Sequence, residues 1–321
     1  MNPDVAAAVA ALEREGILPT ETAGRLGRVA RGELVSVRAE LRLLAYTGVL
    51  LLMGGVGVLV KDNLERIGPL GIALGLAVGA GVCFAWIARR AAPFTPGESA
   101  STDLAFDYVL LLGALLAAAD LAYVEAQFTP LGPAWAWHLL VVAVFYALLA
   151  FRYDSRVLFS LALSTFAAWR GVSAATLELA PWGRAASDVV RANALACGVS
   201  FVVAGVALRR RGFKAHFEPV ATHLGWLLVL GALVAGLGED GFKVRLYQLA
   251  VLLVGAGLAL YAAWRRRFPL FAIGVAGAYI GVTALVLHAA PGELWIYWFA
   301  FTPLGLLAAL LFAHRFLKVE A

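Results

Sequence analysis

Apolar and polar positions alternate along this chain on a scale of tens of residues, not of two or four. Long runs almost free of charge are separated by short polar stretches. Ten such runs stand out, at about 43–60, 69–88, 104–123, 134–151, 155–175, 192–208, 220–237, 246–264, 268–288 and 295–314. A helix of roughly 20 apolar residues crosses the ~30 Å hydrocarbon core of a bilayer. The pattern therefore predicts an all-α fold, a polytopic membrane bundle of about ten transmembrane helices. The fifth run is the weakest, because only 13 residues, Val157 to Trp169, precede Arg170. It either continues past Arg170 or stops short of crossing.

Composition agrees with the pattern. Of the 321 residues, 62% are hydrophobic and 15% charged, and the mean hydropathy is +0.84. A soluble domain carries about 45–50% apolar and about 25% charged residues. Charge placement sets the expected orientation. With the N-terminus inside, 19 of the 26 Lys and Arg residues fall in inner segments, among them Arg89, Arg90, Arg209, Arg210, Arg211, Lys214 and Arg265 to Arg267. Short cytoplasmic loops hold an excess of basic residues. Both termini are therefore expected in the cytoplasm, and the net charge of +5 reflects topology, with no nucleic-acid partner implied. Trp135, Trp137, Trp182, Trp295 and Trp298 fall at outer span ends, and Trp86 and Trp264 at inner ends, where amphipathic rings prefer to sit. Cys83 and Cys197 lie inside spans without metal or disulfide spacing.

Residues 1–42 form a separate region, a cytosolic helical hairpin and stalk, ahead of the bundle at 43–321. Val5, Val9 and Leu12 recur at helical spacing, Gly16 stops the first helix, and Thr20 is placed to cap a second. The hairpin is read either as a solvated stalk or as a contact module for a homo-oligomer or a cytosolic partner. The remaining partner is the lipid bilayer itself.

Two stretches look duplicated. "TGVLLLMGGVGVLVKDN" (47–63) resembles "LGWLLVLGALVAGLGED" (224–240), and "VGAGVCFAWIARR" (78–90) resembles "VGAGLALYAAWRRR" (254–267). Spans 1–2 and 7–8 are then either a parallel repeat, a common transporter plan, or a coincidence of Ala-, Gly-, Leu- and Val-rich helices. Gly71, Gly75 and Gly79, and again Gly277 and Gly281, are four apart, which predicts close helix packing on spans 2 and 9.

The segments "ALEREGILPTETAGRL" (11–26), "KDNLERIGP" (61–69) and "LGALLAAADLAYVEAQF" (112–128), the last followed by a Trp-containing span, resemble a bacterial family of predicted multi-span membrane proteins, domain of unknown function 2157. The matching features are the Leu-rich hairpin with its Gly16–Ile17 step, Asn63 closing the first hairpin, and Gln127–Phe128 ending the third span. Leu64 departs from the aromatic that usually follows the Asn. The likeness covers roughly residues 10–170. It implies an all-helical protein of the bacterial inner membrane and no particular activity.

No soluble-enzyme signature is present: no P-loop, HExxH, GxSxG or post-strand GxGxxG. No enzymatic activity, cofactor or metal is expected. Chemistry is sought instead in polar residues at membrane depth, where charge is costly and faces a bundle interior, a cavity or a partner. Asp120 follows ten residues without a polar side chain, Leu110 to Ala119. Tyr123 and Gln127 share its helical face. Glu125, His138 and Arg170 lie at nearby depths, and Gln248 on span 8 is a further candidate. Glu239 and Asp240 are read as an ordinary solvated loop. Arg170 first and His138 second are the expected partners of Asp120, which is read either as half of a structural ion pair holding spans 3 and 5 together or as part of a polar cavity open to the outside that binds or relays a proton or solute. Two functions remain open. One is transport or permeation of a small solute or ion through an outward-facing polar cavity. The other is a non-transporting scaffold or regulator that uses the N-terminal hairpin. Thr302–Pro303 is the one Pro well inside an apolar run and marks a candidate kink.

Overall fold

The structure, a computed structural model, describes residues 12–16, 19, 21–24, 26, 38–98, 104–177, 184–239, 241–289 and 292–318. Ten long helices account for nearly all of residues 38–318. They are α1 (Arg38–Ile67), α2 (Pro69–Arg90), α3 (Leu104–Phe128), α4 (Trp137–Tyr153), α5 (Arg156–Leu177), α6 (Arg184–Arg211), α7 (Glu218–Ala235), α8 (Phe242–Trp264), α9 (Phe268–Ala289) and α10 (Glu293–Lys318). Each coincides with one of the ten apolar runs. Their ends have local causes. Pro69 and Pro219 open α2 and α7 at the first turn, where the missing N–H costs nothing. Asp154 ends α4 in the left-handed region, at φ 57°.

Seven of these helices are long and apolar enough to cross a membrane by length and composition: α2, α3, α6, α7, α8, α9 and α10. Among the described residues, the apolar parts of α1 and α4, Leu43–Val58 and Trp137–Tyr153, are shorter. Helix α5, which carries Ser160, Ser164, Thr165 and Arg170 along it, is not among the seven. Of the ten expected spans, seven are thus met on this measure among the described residues. The helix continues past Arg170 to Leu177. Helix α10 runs unbroken through Pro303. The N-terminal hairpin, including Thr20, lies mostly outside the described residues. Within them, residues 12–14 are helical and Gly16 has φ 70°, consistent with its role as a stop.

Neighbouring helices pack as antiparallel pairs. The tightest are α8 with α9, α6 with α7, α4 with α5 and α2 with α3. Backbones touch at glycines. A Cβ on Gly198 would lie 2.7 Å from Gly225 O, and one on Gly225 would lie 2.6 Å from Gly198 O. Gly255 and Gly274 interlock in the α8–α9 seam in the same way. Gly277 and Gly281 also sit in close contact, as their spacing predicts. The row on α2 does not: Gly75 faces open space and Gly79 makes ordinary contact with Leu116. Large apolar side chains such as Leu253, Leu260, Ile296 and Phe301 point outward. That suits a lipid solvent.

The chain direction alternates, so the α2–α3, α4–α5, α6–α7 and α8–α9 connections share one end of the bundle. Contacts across sequence confirm it. Arg152 donates to Ala92 O (3.0 Å), Arg156 pairs with Glu98 (2.8 Å), and the Lys214 amide donates to Pro96 O (2.9 Å). Arg267 pairs with Glu218 at 2.5 Å and ties in the fourth connection.

Candidate functional site

Asp120 sits on α3 between Leu116 and Tyr123, one helical turn from each. Leu116 and Tyr123 both belong to the packing against Ile72, Leu76 and Ala80 of α2. Asp120 therefore lies on the stripe that faces α2. One of its carboxylate oxygens, Oδ1, is buried and has no hydrogen-bond partner, and the Tyr123 hydroxyl is in the same position. An unsatisfied buried polar group costs about 1–3 kcal/mol, and more beside hydrocarbon, where no water competes.

The expected partners of Asp120 are engaged elsewhere. Arg170 donates to Asn193 Oδ1 on α6, and its guanidinium lies 5.8 Å from the Trp169 ring. His138 Nδ1 donates to the Trp135 carbonyl one turn back, at 2.5 Å. Neither pairs with Asp120. The physical reason is the neighbourhood of α5, which packs on α4, α6 and α7. Glu125 is buried but satisfied locally: its Oε2 accepts from the Leu131 amide at 3.2 Å and braces the turn after α3. Gln127 is exposed at the end of α3. Gln248, on α8, is buried; its Nε2 donates to Ala284 O at 3.2 Å, and its Oε1 has no partner. Of the seven candidates, the structure brings Asp120 and Tyr123 together on one seam and leaves the others apart.

Sequence reasoning missed the two best-formed charge clusters. At the outer end, Arg191 is buried between Asp188 and Glu239. The Glu239 contact is 2.6 Å, and the Tyr247 ring lies 5.3 Å away. Glu239 is thus an ion-pair partner, not the solvated loop residue expected; Asp240 lies outside the described residues. At the inner end, Lys214 is completely buried. Its Nζ is 2.5 Å from Asp154 Oδ1 and 4.7 Å from the Phe94 ring centroid. His216 Nε2 is 3.3 Å from the same carboxylate oxygen. Phe151 stacks on Phe213 and meets Phe217 edge to face beside the cluster. These partners are far apart in sequence and belong to different connections. A single-residue hydropathy pattern carries no signal of their meeting.

An open apolar groove of about 350 Å³ runs between α5, α6 and α7, lined by Ser164, Ala167, Ala168, Phe201, Leu224 and Leu228. Its walls suit an acyl chain and offer a polar solute almost nothing to bond. Among the described residues no group of three His, Cys, Asp or Glu side chains is placed to hold a metal ion.

No curated protein and no solved structure matches the chain. A family model does. Over residues 10–159, which take in α1 to α4 and Asp120 itself, the chain matches the family described as predicted membrane protein (DUF2157), the family its sequence motifs resemble.

Proposed function

We propose that this chain is a ten-span protein of the bacterial cytoplasmic membrane, with both termini cytoplasmic, that carries a proton or small solute across the bilayer with Asp120 as the proton-accepting group. The observation that supports this reading is the buried, unpartnered Asp120 oxygen on the α2–α3 seam, with the unpartnered Tyr123 hydroxyl one turn away. Structural carboxylates at membrane depth are normally paired with one another or with a backbone group. This one has neither, so its proton is the natural counter-charge.

The test is proton flux in proteoliposomes carrying an internal pH dye under an imposed potential. The wild-type protein should acidify the lumen faster than protein-free liposomes. Asp120→Asn should remain monodisperse and fall to the protein-free level. Unchanged flux in Asp120→Asn would contradict the assignment.

A second reading is favoured by the interlocked glycine seams and unbroken helices: a non-transporting scaffold that uses residues 1–42 for cytosolic contact. Wild-type flux no faster than that of protein-free liposomes would select it.

A further inference from the structure

The two stretches that look alike in sequence also pack alike. The match of 78–90 with 254–267 aligns Gly79 with Gly255 and Cys83 with Ala259. In the α2–α3 seam, a Cβ on Gly113 would meet Cys83 Cβ at 2.8 Å, and one on Gly79 would touch Leu116 at 3.5 Å. In the α8–α9 seam, Gly274 meets the Ala259 backbone and Gly255 meets that of Gly277. Gly113 thus corresponds to Gly274 and Leu116 to Gly277, the same displacement along the chain for both. The first helix of each set agrees. The match of 47–63 with 224–240 aligns Met53 with Leu230. Met53 packs on the cluster containing Leu116, and Leu230 lies 2.9 Å from a Cβ placed on Gly277. In both sets the second and third helices form the tightest pair, and the first touches both more lightly.

Carried along each seam, this register aligns Ile72 with Gln248 and Tyr123 with Ala284. Gln248 does bond to Ala284 O, and Tyr123 does pack on the cluster containing Ile72. Both copies bury a polar group at this level, contributed by the third helix in one and the second in the other. In both, an atom is left without a partner: the Tyr123 hydroxyl, and Oε1 of Gln248, which is only 4% exposed.

We infer that α1–α3 and α7–α9 are two copies of one three-helix unit, and that each copy holds a polar site at the same level of its second–third helix seam which takes a water molecule from the outer side. Gln248 Oε1 and Asp120 Oδ1 are acceptors and the Tyr123 hydroxyl can donate or accept, so a guest that both donates and accepts satisfies them. Tyr123 lies five residues from the end of α3 and Gln248 six from the start of α8, about 8–9 Å of helix in each case. The inference rests on the membrane reading and not on transport.

Cysteine labelling tests it without any activity, so its failure and that of the flux assay are distinguishable. The background is Cys83→Ala, Cys197→Ala; Cys83→Ala should fold, since Ala259 holds that place in the second copy. Tyr123→Cys and Gln248→Cys are treated from the outer side with a small cationic thiosulfonate, whose sulfenyl sulfur is attacked by hydrated thiolate to form a disulfide with loss of sulfinate. Both should react at similar rates, about tenfold or more faster than Leu74→Cys and Leu249→Cys on the outward faces of α2 and α8, because the thiolate forms only where water reaches. Should either seam variant fail to accumulate, Asp120→Cys or Ala284→Cys reports the same seam. Reaction at one seam only, or at neither, would overturn the inference.

Discussion

Lys214→Met, made alone, is expected to destabilise the protein by about 3–5 kcal/mol, because it removes the permanent cation from a buried ion pair and leaves His216 as the remaining basic group beside Asp154. The side chain of Asp154 is 8% exposed and that of Lys214 fully buried, so both charges are largely shielded from solvent. The surrounding rings of Phe94, Phe151, Phe213 and Phe217 exclude water that would otherwise soften the loss. The double variant Asp154→Asn, Lys214→Met should be milder, since it removes both charges together. Asn is the right replacement at 154, because the φ of 57° there is a conformation that Asn tolerates and most side chains do not. Thermal unfolding in detergent micelles measures both. A single variant that loses less than about 1 kcal/mol would place this pair with solvated surface bridges.

Gly255→Ala is the second large effect. A Cβ at Gly255 would overlap the backbone of Gly277 and Ala278 on α9. Backbone cannot swing aside as a long side chain can, so the α8–α9 seam must open. Overpacking of this kind costs about 1–3 kcal/mol. Gly257, on the same helix, has nothing within 4 Å of an added Cβ. Gly257→Ala should therefore be neutral or gain up to about 1 kcal/mol from helix propensity alone. The contrast between two glycines two residues apart separates seam packing from propensity. Equal effects at both positions would contradict the close approach of α8 and α9.

The helices were legible because all but the fifth apolar run are long with little interruption. All ten runs fall on a helix, and most helices extend a few residues beyond their run. Helix α5 was hardest to read because Arg170 interrupts its apolar run, yet the helix, packed among α4, α6 and α7, continues to Leu177. The glycine seams were half legible. Spacing finds Gly277 and Gly281, but the same spacing on α2 leaves Gly75 facing open space and Gly79 in ordinary contact with Leu116, because periodicity marks a face without saying how closely a neighbour covers it. Charge pairing was the least legible. Arg170 and Asp120 lie at similar depth, yet depth does not specify which helices adjoin, and Arg170 meets Asn193 of α6. Lys214 and Asp154 read as loop residues one by one. Only the convergence of three connections buries them together.

The central claim is that all ten helices cross, so that the ion-paired connections share the cytoplasmic face. The direct measurement is a topology map with paired reporters, one active only in the cytoplasm and one only outside it. Fusions after Arg90, Arg156, Arg211 and Arg267 should report cytoplasm, and fusions near Glu65, Glu178 and Asp240 the opposite side. The decisive site is Glu178, just beyond α5, the helix whose apolar run Arg170 interrupts. An outside signal there with a cytoplasmic signal after Arg211 is the predicted result. A cytoplasmic signal at Glu178, with every later fusion inverted, would contradict it and reduce the spans to nine.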